Sequence, residues 1–377
     1  MNPTRPSAPL FLLFLYVIGC VSMAFGQGTE ADISKCWSYG SGDLRGSVLA
    51  ADSGHIYVGA VDGRVEAVSI EGKKIWQSDF GGSISSDLLP LNTGLLVVTS
   101  TVTTDPAKPT VSTLRSLSKE TGILNWGVAL PAADRFYLSS FNGSVMVVSG
   151  EGAIHSVDPA TGQMRWDRQI GARVVIEPVM TSTKLIVATD TKKLLTISPT
   201  TGAIDAQLTT RFRPTAVLQR SQDEIIVGDE RGNVTVFIGR TAVSWQFRSG
   251  GEISALFRSG DNILAASHDN FIYLLAGSNG SIVWKKRVSG RLAEIAKIGD
   301  RYVLMSAIDD NNAVLTNLSD GKVAGQIAFN TDEKLTYEPV MVEQRIYVLT
   351  NRSLNAYSLD GCSQNAPKAA NLTVSGL

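Results

Sequence analysis

The chain is poor in the residues that usually carry chemistry. Of its 377 residues, three are cysteine and three histidine, and no His-x-His or His-Glu-x-x-His spacing for a metal occurs. His55, His155 and His268 each stand alone, and a structural role is the simpler reading of each. No Gly-x-Ser-x-Gly elbow is present, Gly81-Gly-Ser-Ile included, and there is no Cys-Cys pair. Charged residues make up only 18% of the chain, with 34 Lys and Arg against 35 Asp and Glu. That balance gives no general attraction to nucleic acid or to an anionic membrane. Long apolar runs are also missing: Pro9–Ile18 is too short to cross a bilayer.

What the chain has is a repeat. A turn glycine is followed four residues later by a tryptophan at Gly72 and Trp76, Gly122 and Trp126, Gly162 and Trp166, and Gly280 and Trp284. Gly202, Gly321 and Gly361 keep the turn without the ring, and Gly239 has its Trp245 two residues late. Successive turn glycines lie 50, 40, 40, 37, 41, 41 and 40 residues apart. A fixed period near forty marks an array of supersecondary units. Ahead of each turn lie two short β-branched or aromatic runs joined by a polar turn, such as Ile56–Val58 and Val65–Val68 around Asp62-Gly63. These read as strands. Adding one strand before the pair and the Trp strand after it makes four antiparallel strands, which is one propeller blade. The expected fold is therefore all-β, an eight-bladed propeller. A pair of β-sandwiches would not require so even a period. The glycines sit at hairpin turns and not in a strand-to-helix phosphate loop. Trp37, Trp76, Trp126, Trp166, Trp245 and Trp284 are expected on outer strands, buried in the wedges between blades.

The ends fit a closed ring. Residues 1–26 have a positive charge at Arg5, the apolar run and a small-x-small site at Ala24-Phe25-Gly26, the pattern of a cleaved export signal. Val17-Ile-Gly-Cys20 also resembles a lipobox, which would lipidate Cys20. In an oxidising compartment, Cys36 and Cys362 are then the available pair. Cys36 precedes Trp37, a Trp with no turn glycine, and Cys362 follows Gly361, a turn glycine with no Trp. The first strand should complete the last blade and remove free sheet edges, with a disulfide spanning the join. Such a bridge is worth roughly 5 kcal/mol in the chain-entropy picture; the alternative is two unpaired buried thiols. One propeller over 27–362 is followed by a polar tail, 363–377, expected to be disordered. A Thr/Pro-rich insertion over 100–110 lengthens the second blade. Asn142, Asn233, Asn279, Asn317, Asn351 and Asn371 stand in Asn-x-Ser/Thr triplets that a eukaryotic secretory pathway could glycosylate.

Seven residues beyond Trp166, Ala206, Trp245 and Trp284 lie Arg173, Arg213, Glu252 and Arg291, and nine beyond Trp126 and Gly325 lie Arg135 and Lys334, all at the start of the next innermost strand. In a propeller these positions ring one mouth of the central channel. A mainly basic ring there could hold an anionic ligand or an acidic peptide, although strand starts are commonly polar and exposed for no functional reason.

Asp158-Pro-Ala-Thr-Gly-Gln-Met-Arg-Trp166 and Ser118-Lys-Glu-Thr-Gly-Ile-Leu-Asn-Trp126 resemble the tryptophan-docking repeat of pyrroloquinoline-quinone (PQQ)-type eight-bladed propellers, and the likeness covers the whole chain after the signal. Within that superfamily the chain is similar to the BamB family of outer-membrane assembly factors. That resemblance implies a non-enzymatic, monomeric scaffold, exported to the periplasm or attached to the outer membrane, that docks on a β-barrel assembly machine and uses no cofactor. The same superfamily includes quinoprotein dehydrogenases, which bind PQQ with calcium beside a vicinal Cys pair that is absent here. A carbohydrate or cell-surface binding module is a third expectation.

Overall fold

The computed structural model describes residues 33–40, 42–101, 111–239 and 241–362. The expected export signal over 1–26, Cys20, most of the 100–110 insertion and the 363–377 tail lie outside the described residues. Eight antiparallel sheets follow one another around an axis, and six of them are four strands consecutive in the chain. We number them in chain order. Blade 1 runs from Val48–Ala51 to Lys74–Asp79, blade 3 from Phe136–Phe141 to Met164–Gln169, and blade 4 from Val179–Met180 to Ile204–Thr209. Blade 5 runs from Pro214–Ser221 to Ala242–Arg248, blade 6 from Ile253–Ser259 to Ile282–Arg287, and blade 7 from Leu292–Ile298 to Val323–Ala328. Blade 2 differs in having its innermost strand split into Ser83–Ile84 and Leu89–Leu91, both paired to Gly94–Thr101. Blade 8 is the composite one: Val340–Val342, Arg345–Leu349 and Ser353–Ser358 come from the C-terminal end and Ser34–Gly40 from the N-terminal end.

Burial explains the apolar pattern. A middle strand is covered on both faces by neighbouring blades, so Leu185–Ala188 and Ser144–Ser149 are buried at every residue. Such strands read as continuous runs, as doubly covered strands must. Outer strands alternate instead, because one face looks into a wedge and the other into water; Met164–Gln169 is the pattern. The resulting cores lie between blades. Val148 and Ile154 of blade 3 pack with Leu185, Val187 and Trp166 in one cluster.

The tryptophans join each blade to the next. Each indole lies on the turn glycine of the following blade, not of its own: Trp37 on Gly72, Trp76 on Gly122, Trp126 on Gly162, Trp166 on Gly202, Trp245 on Gly280 and Trp284 on Gly321. Each Nε1–H is donated to a carbonyl of the same turn, those of Ile70, Lys119, Pro159, Pro199, Gly277 and Leu318, at 2.6–3.1 Å. Gly162 shows why the turn residue is glycine: its φ is +75°, and a Cβ there would stand 2.7 Å from the Trp126 ring. Only Trp76 and Trp245 are buried, at 7% and 8% exposure, and the other four rings are half-buried. The expectation of full burial fails because the outer strand leaves one ring edge at the rim of the wedge. At two stations the ring is absent. Ala206 and Gly325 occupy the register position of the tryptophan, and Gly239 and Gly361 accordingly meet nothing.

Ring closure uses the same contact. Trp37, on the N-terminal strand, is bound to blade 8 in register with Ala356 and docks on blade 1. Beside it Cys36 and Cys362, 326 residues apart in sequence with Cα atoms 5.2 Å apart, form a disulfide.

Two outcomes follow. Trp166→Ala removes a half-buried indole and one hydrogen bond and should destabilise the protein by about 3 kcal/mol in denaturant titration; an unchanged midpoint would contradict the docking role. Replacing Cys36 and Cys362 by Ser should lower the melting temperature with unchanged far-ultraviolet circular dichroism. Thiol labelling of the denatured, unreduced parent should find neither sulfur free.

Candidate binding site: the central channel and its mouth

The six mouth positions occupy equivalent stations. The carbonyls of Arg135, Arg173, Arg213, Glu252, Arg291 and Lys334 each accept a hydrogen bond from the middle turn of the same blade, from Gly150, Asp190, Glu230, His268, Ile308 and Asn351 at 2.8–3.1 Å. Starts of innermost strands and middle turns therefore share one face. The charge there is mixed, not mainly basic. Arg135 pairs with Asp87 at 3.3 Å, Arg173 with Glu151 at 2.9 Å and Arg213 with Glu230 at 3.2 Å. Lys334 donates to the carbonyl of Ile308 at 3.0 Å. Among the described residues Arg291 alone of these arginines has no ion pair. Each of these exposed pairs adds little to stability, on the order of 0–1 kcal/mol, so the side chains can exchange partners cheaply.

Below the mouth the channel is acidic, which the offsets did not disclose. A cavity of about 440 Å³ is lined by Arg135, Tyr137, Glu177, Phe257 and Glu338 among others from blades 3 to 6 and 8. Glu294 of blade 7 and Asp87 of blade 2 also face Glu338 electrostatically. The Tyr337 hydroxyl donates to Asp87 at 2.8 Å, and the Arg135 guanidinium lies over the Tyr137 ring at 5.2 Å. Water reaches Glu338, yet channel walls crowd it. That desolvation, reinforced by Glu294, Glu177 and Asp87, pushes its carboxyl up to about 7. Glu177 is raised by the same confinement and by Asp87, with Arg135 opposing, and Glu294 is raised by burial.

A sequence signal for this cluster exists. Arg173-Val-Val-Ile-Glu-Pro-Val-Met180 and Lys334-Leu-Thr-Tyr-Glu-Pro-Val-Met341 are copies four blades apart. In both, one isolated bridge, Val174 to Thr189 or Leu335 to Thr350, precedes a gap that the Pro ends. Proline cannot donate to a ladder, so the innermost strand starts late, at Val179 and Val340, and the Glu sits outside the pairing. Asp87 lies in the corresponding gap of blade 2.

The remaining polar candidates are structural. His155 is buried and its desolvated ring is held below the usual histidine range. His55 lies 3.5 Å from Asp52. Asn233 is 5% exposed and its amide is bound to Asp229, so the folded chain does not offer it for glycosylation. Among the described residues no three His, Cys, Asp or Glu are grouped to hold a metal ion.

A closed eight-blade ring with indole-on-glycine docking and a central channel defines a PQQ-type repeat propeller. The chain matches the family model described as "Outer membrane protein assembly factor BamB" over residues 24–132, 110–324 and 221–366, and it belongs to that family. Solved structures agree on the fold. BamB from Moraxella catarrhalis superposes with a TM-score of 0.66 at 16% identity, covering 86% of this chain and 97% of that one. The computationally designed Ika8 protein gives 0.71 at 14% identity, covering 86% and 99%, and the C-terminal WD40 domain of Sif2 gives 0.68 at 10%, covering 87% and 99%. No curated protein matches the sequence.

The channel carboxylates make a signed pH prediction. Glu338 has a folded pKa of about 7 against 4.5 for a free carboxyl. Its folded state therefore holds the extra proton, so this contribution is complete below 4.5 and lost as pH rises through 7. Glu338→Gln, neutral throughout, should melt higher than the parent at pH 8 and equally at pH 4. An equal difference at both pH values would remove the titration from the account.

Proposed function

We propose that the protein is an exported scaffold of outer-membrane protein assembly that engages a β-barrel assembly machine through the channel-mouth face. The observation that carries this is the BamB family match, which runs from residue 24 to residue 366 and so takes in every blade. The family and fold are of the protein-binding scaffold kind. The mouth suits such a role: Arg173, Arg213 and Arg291 project from blades 4, 5 and 7, the ion pairs of Arg173 and Arg213 are exposed, and a partner's carboxylates could replace Glu151 and Glu230 at small cost. Export through the 1–26 signal, with cleavage after Gly26 or lipidation at Cys20, belongs to the same reading.

The reading needs no cofactor. PQQ is a tricarboxylate, and in this channel it would meet Asp87, Glu177, Glu294 and Glu338 with Arg135 as the cation at the cavity wall. Like charges at such a site oppose binding. The residues present do not fit the quinone, which argues against the dehydrogenase alternative.

The test is affinity purification from native outer membranes with mass spectrometry. The parent should recover barrel-assembly components, and a triple variant, Arg173→Glu, Arg213→Glu and Arg291→Glu, should recover at least about tenfold less with unchanged circular dichroism. Saturable PQQ binding with dye-coupled oxidation of an alcohol or sugar would overturn the proposal.

A further inference from the structure

Of the two stations that lack a ring, the one between blades 4 and 5 faces an exposed turn glycine. Ala206 pairs with Thr196 where Trp166 pairs with Ser156 and Trp76 with Ala67, so blade 4 presents a methyl group where other blades present an indole. The facing turn glycine, Gly239 of blade 5, is exposed, whereas Gly122, Gly162, Gly202 and Gly280 are buried. Between them lies a cavity of about 250 Å³ whose lining includes Ile186, Ala206, Leu208, Gln219, Ile225 and Gly239. An apolar protein cavity of roughly 150 Å³ accepts a benzene ring, so an indole has room.

A second observation says what the occupant must bring. At each of the six occupied stations the ring also donates its indole Nε1–H to a carbonyl of the facing turn. Asp205 and Asp223 stand on the lining against the single cation Lys184, which complements a basic residue next to the ring.

We propose that the wedge between blades 4 and 5 is a docking site for a tryptophan side chain of a partner polypeptide, carried beside a basic residue. The partner would complete from outside the contact that Trp166 and Trp245 make from within. This rests on the scaffold reading above and adds to it a site on the outer rim, away from the mouth.

The probe is N-acetyl-tryptophanamide, titrated into the full protein and followed by amide shifts. Saturable shifts are expected at Ala206, Gln207 and Gly239. Ala206→Trp, which supplies the ring internally, should raise the melting temperature and abolish binding. Absence of saturable binding, or binding unchanged in Ala206→Trp, overturns the proposal.

Membrane purification then separates the two readings. Ala206→Trp leaves the mouth untouched, and the triple mouth variant leaves the wedge untouched. Recovery of barrel-assembly components lost in Ala206→Trp supports the wedge as a partner site. Recovery retained there but lost in the mouth variant overturns the wedge and leaves the scaffold reading standing.

Discussion

An indole laid flat on a glycine turn of the next blade is the contact on which the whole ring depends. It does two things at once: the ring face fills the wedge that opens between two flat sheets as they fan outward, and the N–H satisfies a turn carbonyl that no strand ladder can reach. The turn must then be glycine, both for its left-handed backbone and because a side chain would strike the ring. Repetition fixes the angle between blades, and a constant angle is what allows eight of them to close. Closure in turn requires the first strand to come home to the last blade, since Trp37 must reach the turn of blade 1 from the far end of the ring. The Cys36 to Cys362 bridge secures a join already defined by strand register and by that indole.

This dependence explains which parts of the molecule could be read from the sequence. Gly and Trp at fixed spacing are a direct imprint of the docking contact, so the period, the strand count and the split blade were legible. The direction of docking was not, because a Gly and a Trp four residues apart look like partners when each belongs to a different interface. Full burial was also overstated for Trp37, Trp126, Trp166 and Trp284, since periodicity says which face a residue takes and not how near it lies to the rim. The mouth stations were located by offset, but their charge was misjudged: Asp87, Glu151 and Glu230, which partner the arginines, lie far from them in sequence or on a neighbouring turn. The channel carboxylates escaped for a different reason. Their marker, Glu-Pro-Val-Met at 177 and 338, skips three blades, and a signal present in two of eight copies is lost when all eight are averaged.

The channel and the wedge share a physical feature. Four carboxylates converging on one lumen oppose folding at neutral pH, and Glu338 answers by holding its proton to about 7. An alanine at a docking station forgoes an aromatic contact that six other stations keep. Neither arrangement is what stability alone would choose, because a neutral side chain at Glu338 or a ring at residue 206 is available at each place without altering the repeat.

Departures from a repeat carry information because the repeat supplies its own control. In an irregular fold an exposed glycine has nothing to be compared with. Here Gly239 can be set against the glycines that carry rings, and Ala206 against the tryptophans in the same register, so their difference is a property of that one interface. Local rules that are kept almost everywhere and broken at a few positions point to places where binding and not packing decided the residue. By that criterion the mouth, whose stations are geometrically regular and only vary in charge, is a surface shaped by general electrostatics. The wedge between blades 4 and 5 is more specific, since it combines a missing ring, an uncovered glycine and an acidic lining at one place.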